Sequence, residues 1–298
     1  MRAAVTVAVI QVAWTGSVES MQAQYVELVE RAAGRGAGLV CLPEFSLIPY
    51  FPGTRNPDGF QWAEPLSGGY SETFFSALAN QYGVTLVGSL YERAADGVYY
   101  DTATLHAPDG TLVGVTRKMH IPSGTGYHET DFFIGGDSYP VWDAGALTIA
   151  TPTCYDQWFP ELARIYSLNG AEFIFYPTAI GEEPHDPLMD TADSWQTVMR
   201  GHAIANGVYV GAANRVGSEN GIAFYGSSFI CDPSGRVLAQ AGRDTTEVIM
   251  AELKPEVLAH WRDHFPLLHQ RRPRTYTRLT EGYTLTPPPD WVVRSNED

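Results

Sequence analysis

Residues 5–10 form an apolar run broken only by Thr6, and such a run reads as a buried strand. Behind it Met21, Tyr25, Leu28, Val29 and Ala32 recur at helical spacing on one face, and residues 39–42 make a second apolar run closed by Pro43. The same order returns later. Residues 147–151 read as a strand, Leu162, Ile165 and Tyr166 mark a helix that Pro160 can open, and residues 173–176 form a strand closed by Pro177. The octets Gly36-Ala37-Gly38-Leu39-Val40-Cys41-Leu42-Pro43 and Gly170-Ala171-Glu172-Phe173-Ile174-Phe175-Tyr176-Pro177 are alike, each a turn, a strand and a stop. The pattern predicts an α/β fold of two β-α-β halves joined face to face.

Between and beyond these landmarks, strands are predicted at 84–91, 100–106, 111–116, 209–213, 224–230 and 248–253. Hairpin turns are expected at Pro108-Asp109-Gly110 and Asp232-Pro233-Ser234-Gly235. Trp195, Val198, Met199 and His202 predict a third helix. After about Arg274 the chain turns Pro-rich and polar, so we expect one domain over residues 1–276 and a tail over 277–298.

At 298 residues and 44% hydrophobic composition the chain can bury a large core, which excludes a disordered protein. Nineteen Lys and Arg against 34 Asp and Glu give a net charge of -15, which repels nucleic-acid phosphates and anionic lipid. Neutral or cationic small molecules are the expected partners, with no nucleic acid and no membrane. The three cysteines, Cys41, Cys154 and Cys231, are odd in number and contain no C-x-x-C pair. That argues against a disulfide framework or a zinc site and for a reducing compartment, the cytoplasm. Met1-Arg2 and the apolar stretch after it faintly resemble a signal peptide, but Thr6 and Gln11 interrupt the stretch and we read it as the first strand.

Three positions carry the candidate chemistry. Cys154, in TPTCYDQWFPE, follows a buried strand and precedes a helix, a place from which a side chain projects into a crevice. A cysteine attacks as thiolate, and a nearby cation lowers its pKa; Lys118 in RKMHIPSG is the candidate cation. Glu44 follows Pro43, so the internal similarity puts it at the same end of the sheet as Cys154, where a shielded carboxylate can take and return protons. Taken singly, each has an ordinary alternative: a small buried hydrophobe, a surface acid, and a solvated Arg117-Lys118 pair. His120 and His128 read as loop histidines, and Cys41 and Cys231 as core.

Together these stretches resemble the nitrilase superfamily of carbon-nitrogen hydrolases, from roughly residue 4 to residue 276. A Glu after a Pro-ended strand, a Lys in R-K-x-H-[IL] and a Cys in C-[WY]-D-x-x-[FW]-P-E match Glu44, Lys118 and Cys154, and Glu129 in Gly126-Tyr127-His128-Glu129 matches a further G-x-x-E glutamate. The resemblance implies a four-layer α-β-β-α sandwich, a Cys-Glu-Lys mechanism without metal or organic cofactor, and Glu129 as a positioning acid. It also implies an oxyanion hole from Lys118 and the Tyr155 amide, and a homodimer or larger homo-oligomer.

The segments CYDQWFPE, GAEFIFYPTAIG, MRGHAIANGVYVGAANRVG and FYGSSFI resemble the branch that hydrolyses N-carbamoylputrescine. Relatives acting on N-carbamoyl amino acids resemble one another in an Arg three or four residues after the nucleophile, where Gln157 and Trp158 stand here. Glu182, Glu183, Asp186 and Asp190 could instead surround a cationic amine. A carbamoyl amine is therefore the expected substrate, split to amine, ammonia and CO2. Other N-carbamoyl compounds, small amides and nitriles are the alternatives, and a silent binding scaffold is the alternative from another class.

Overall fold

The computed structural model describes residues 2–184, 186 and 188–292. In chain order the elements are β1 (Val5–Ala13), α1 (Val18–Gly34), β2 (Leu39–Cys41), α2 (Tyr70–Tyr82), β3 (Thr85–Arg93), β4 (Tyr99–His106) and β5 (Leu112–Arg117). Then follow β6 (Trp142–Asp143), β7 (Thr148–Ala150), α3 (Pro160–Leu168), β8 (Phe173–Pro177), α4 (Ala192–Asn206), β9 (Tyr209–Ala213) and β10 (Arg215–Glu219). The last are β11 (Ile222–Tyr225), β12 (Phe229–Cys231), β13 (Val237–Gln240), β14 (Glu247–Leu253) and α5 (Pro255–His264). One sheet runs β11-β10-β1-β2-β3-β4-β5, with β14 also paired to β1, and the other runs β13-β12-β9-β8-β7-β6.

Side-chain alternation along the strands sets the layers. From β1 and β2, Val7, Val9, Leu39 and Cys41 meet Ile149, Phe173, Phe175 and Tyr209 of the other sheet in one apolar cluster between the sheets. The intervening Ala8, Ile10, Val12, Val40 and Leu42 face the opposite way, against Met21, Tyr25, Leu28 and Val29 of α1 and Phe75 and Leu78 of α2. Ile174 and Tyr176 likewise turn outward onto Leu162 and Tyr166 of α3 and Trp195 and Met199 of α4. The result is helix, sheet, sheet, helix, the four-layer sandwich that the resemblance implies.

The predicted internal similarity holds in register. In β1-α1-β2 the strands are parallel with Val7 opposite Leu39, and in β7-α3-β8 they are parallel with Ile149 opposite Phe173. The same backbone bond leads into each second strand: Gly38 N–H donates to Thr6 O at 2.9 Å and Glu172 N–H to Thr148 O at 2.8 Å.

One predicted strand is wrong. Residues 224–230 are split, β11 pairing with β10 in the first sheet and β12 with β9 in the second. Gly226 and Ser227 sit between them at φ 57° and 60°, outside the strand region. A Cβ on Gly226 would lie 2.7 Å from Gly242 O, so the crossing needs glycine there. The short apolar patches flanking the glycine merge into one run in the sequence, and nothing in the pattern marks the change of sheet.

The pattern also leaves α2, β6, β10, β13 and α5 unannounced. Beyond α5 the chain carries two short 3-10 turns, Pro273–Thr275 and Thr277–Thr280, and is largely exposed; positions 293–298 of the expected tail lie outside the described residues. No helix among the described residues is long and apolar enough to cross a membrane.

Candidate active site

Glu44 stands on a turn held from three sides. Leu42 N–H still bonds to Val87 O at 3.0 Å, Pro43 ends the ladder, and Phe45 takes a positive φ of 48°. Phe45 N–H donates to Ser89 Oγ at 3.0 Å. The buried Arg215 guanidinium donates to the carbonyls of Glu44 (2.9 Å), Phe45 (3.1 Å) and Ile48 (2.9 Å), and pairs in a fork with Glu219 at 2.8 and 3.0 Å. An arginine that satisfies three loop carbonyls and one carboxylate fixes the loop more firmly than a lysine could.

Lys118 follows β5 directly, its N–H bonded to Asp101 O on β4 at 2.9 Å. Cys154 opens a short 3-10 turn, Cys154–Trp158, at φ 43°, a strained conformation for a residue with a Cβ. Asp156 ties that turn to the lysine segment: its carboxylate accepts from Thr153 N–H (3.2 Å), Met119 N–H (3.2 Å), His120 N–H (2.8 Å) and the His120 ring at Nδ1 (2.8 Å). Cys154 Sγ lies 3.8 Å from Ala179 O.

The charged groups converge. Lys118 Nζ donates to Glu44 Oε1 at 2.8 Å and to Glu129 Oε2 at 2.5 Å, and lies 3.4 Å from Asp101 Oδ2. Tyr50 Oη donates to the other Glu129 oxygen at 2.7 Å. Glu44, Asp101, Lys118 and Glu129 are fully buried, and Cys154 is buried with 5% exposure of the residue. Oxygens of the three acids lie within 4.8 Å of one another, a spacing that suits a metal ion, but the Lys118 ammonium already fills the cationic position among them.

Electrostatics follow from this packing. Burial pulls the Lys118 pKa down, but the charges of Glu129 and Glu44 overcome it and hold the ammonium well above the usual lysine range. Burial and the Glu44 charge push the Cys154 thiol well above its ordinary value, and Lys118 only partly offsets them. The expected lysine-driven lowering is thus outweighed. This environment favours the neutral thiol, and a thiol becomes a nucleophile only with a base to take its proton. Burial raises Glu129 to about 7, with Lys118 pulling the other way.

The remaining candidates fall into two groups. Gln157 is fully buried, its Oε1 3.4 Å from Thr178 Oγ1 and its carbonyl bonded to His202 Nε2 at 2.9 Å, and Trp158 packs partly buried against the outer core of the second sheet. Glu182, Asp186 and Asp190 are exposed, and Asp190 pairs with Arg243 at 3.0 Å. Glu183 is half-buried, and its charge acts on the phenols of Tyr127, Tyr155 and Tyr225, two of which, Tyr127 and Tyr225, also feel Cys154.

The sequence reading passed over Tyr50, Asp101, Asp156 and the Arg215-Glu219 fork. Asp101 had a signal: an acid inside an otherwise strand-like run, where an unpaired charge is disfavoured. A cleft of about 430 Å³ between Trp14, Phe51, Trp62 and Glu219 contains none of Glu44, Lys118, Glu129 or Cys154. The Arg215-Glu219 fork separates that cleft from the Glu44 turn.

The carbon-nitrogen hydrolase family model matches residues 6–263. A citrullinase from Francisella tularensis is 36% identical, over 94% of this chain and 99% of its own. An N-carbamoylputrescine amidase from Solanum lycopersicum is 38% identical, over 92% and 94%. A crystal structure of a carbon-nitrogen hydrolase from Helicobacter pylori G27 superposes with a TM-score of 0.90 at 36% identity, covering 94% of this chain and all of that one. The chain belongs to the carbon-nitrogen hydrolase family, within the nitrilase superfamily, and is an amidohydrolase-type enzyme.

Proposed function

We propose that the protein hydrolyses the ureido group of an N-carbamoyl alkylamine, with N-carbamoylputrescine as its preferred substrate, by a Cys-Glu-Lys mechanism. The observation that carries this reading is the single buried ammonium of Lys118, bonded to Glu44 and Glu129, beside a thiol on a strained turn. Glu44 takes the proton from Cys154 Sγ as the sulfur bonds to the ureido carbon, and the carbonyl π pair moves onto oxygen. Lys118 and the Tyr155 N–H, at the start of a 3-10 turn where amides lack intrahelical acceptors, stabilise that oxyanion. Collapse breaks the C–N bond, Glu44 returns its proton to the leaving nitrogen, and a carbamoyl thioester remains on the sulfur. Water then loses a proton to Glu44 and attacks, the C–S bond breaks, and the thiol recovers its proton. The carbamate released in this step then loses its remaining nitrogen by C–N cleavage, so amine, ammonia and CO2 are the final products. Glu129, held by Lys118 and Tyr50, fixes the ammonium in place.

Two points favour an amine-bearing substrate. No arginine occupies 157 or 158, and the half-buried Glu183 raises the pKa of Tyr127 and Tyr225, two phenols on which Cys154 also acts. A carboxylate buried without a partner would cost several kcal/mol, about enough to exclude it. Citrulline carries the same ureido group and an amine but also the carboxylate that the charge argument disfavours, and the similarity to a citrullinase makes it the second substrate to test.

Ammonia release should be compared for N-carbamoylputrescine, citrulline, N-carbamoyl-β-alanine, N-carbamoyl-D-amino acids, simple amides and nitriles, with Cys154→Ala as control. We expect the first to be turned over best. Glu183→Gln should raise KM for it by ~10-fold with kcat little changed, the loss of one charge-assisted contact. Equal or better turnover of the carbamoylated acids would refute the charge argument. We further propose self-association, supported by the exposed apolar Leu279, Tyr283, Leu285 and Trp291 near the C-terminal end, with sedimentation as its test.

A further inference from the structure

Three carboxyl groups surround one ammonium in a region sealed from water, and three negative charges against one positive would leave a large uncompensated charge there. At least one proton must be shared within the cluster. Its place can be worked out from the donors. Both oxygens of Glu129 already accept, from Lys118 and Tyr50, as an ionised carboxylate does. Glu44 Oε1 accepts from Lys118, but Glu44 Oε2 is buried without a donor, and so is Asp101 Oδ2. Carboxyl oxygens of Asp101 and Glu44 lie within 4.8 Å of each other, with Lys118 Nζ against both groups. The other Asp101 oxygen is already supplied: Ser89 Oγ receives Phe45 N–H at 3.0 Å, so its own hydrogen points to Asp101 Oδ1, at 3.4 Å.

We infer that Asp101 is a positioning residue of the active site, held as the neutral acid, whose Oδ2 hydrogen is donated to Glu44 Oε2. This gives both orphan oxygens a partner. It leaves Glu44 ionised and ready to take the Cys154 proton, and fixes it from the side opposite Lys118. The acid also reaches the glutamate through its chain, because Asp101, Ser89 and Phe45 form a hydrogen-bonded line ending at the peptide that follows Glu44. The groups facing Asp101 are Glu44, Lys118 and Glu129, with the Ser89 hydroxyl from β3. Burial first, and then the Glu44 charge, hold its pKa well above the aspartate range, with Lys118 opposing.

The inference rests on the Cys-Glu-Lys reading above, and the test separates the two. An asparagine at 101 keeps a donor for Glu44 and cannot ionise; an alanine offers neither. The pH profile of kcat/KM should be measured for wild type, Asp101→Asn, Asp101→Ala and Cys154→Ala. We expect Asp101→Asn within about threefold of wild type at neutral pH and Asp101→Ala down by ~10- to 100-fold, the loss of a hydrogen bond to a charged group. The alkaline limb should move to higher pH in Asp101→Asn, because ionisation of Asp101 no longer adds a third buried charge. Turnover by Cys154→Ala would sink the thiol reading and this inference with it. With Cys154→Ala inactive, an Asp101→Asn variant as impaired as Asp101→Ala, or an unmoved alkaline limb, overturns the role of Asp101 alone. Infrared spectra of wild type carrying 13C-labelled aspartate need no variant to fold: a protonated aspartic C=O stretch at neutral pH supports the assignment, and its absence overturns it.

Discussion

The two β-α-β halves share a backbone plan and differ in what they do with it. After β2 in the first half the chain presents Glu44 to a fully buried set of charges, joined by Asp101 and Lys118 from the neighbouring strands and by Glu129. After β8 in the second half the matching position is Thr178, and the polar groups nearby are neutral. Asn214 there receives Ile180 N–H and Arg215 N–H at 3.0 and 2.8 Å and donates to Ile180 O and Gly226 O at 2.9 Å each. The first half therefore buries a cluster of charges behind β2, and the second holds the matching segment behind β8 with neutral amide bonds, while the strained Cys154 turn is tied separately by the Asp156 carboxylate. Cys154 retains 5% exposure, while Glu44, Asp101, Lys118 and Glu129 are fully buried, where electrostatic interactions are strongest.

If this division is right, damage to the charged half should remove chemistry first. Glu44→Gln keeps the shape and the bond from Lys118 but cannot take a proton. Its kcat should fall by roughly 10³-fold or more, measured by ammonia release, with the fold unchanged by circular dichroism. A smaller loss, within tenfold, would mean that another group is the base. Supports of the two halves should differ in the same direction. Arg215→Met strands the buried Glu219 carboxylate and frees the Glu44 turn, and should cost about 3–5 kcal/mol in denaturant unfolding. Asn214→Ala in the neutral scaffold leaves only amide groups unpaired and should cost less, about 1–3 kcal/mol. The reverse order would erase the contrast between the halves.

Much of this was legible in the sequence because it is local. The β1-α1-β2 and β7-α3-β8 units follow from apolar spacing, and Glu44 and Cys154 sit where a strand stops. Lys118 was legible as the candidate cation for the thiol, and Glu129 and Tyr155 came from motif resemblance. What was not legible is partnership across distance. Asp101 reaches the Lys118 ammonium, and Arg215 reaches the Glu44 carbonyl, only because sheet pairing aligns them. The change of sheet at Gly226 was hidden for a similar reason, since it depends on the close approach of Gly242. The direction of the Cys154 shift was missed because a nearby lysine suggests lowering, while burial and Glu44, which dominate, are set by packing.

The central claim is that Cys154 carries the carbamoyl group between two half-reactions that both use Glu44. It is tested most directly by intact-protein and peptide mass spectrometry of enzyme quenched in acid during turnover of N-carbamoylputrescine. The account predicts a carbamoyl adduct on the Cys154 peptide that is absent from Cys154→Ala, which is also inactive. Turnover by Cys154→Ala, or an adduct on Cys41 or Cys231 instead, would contradict it.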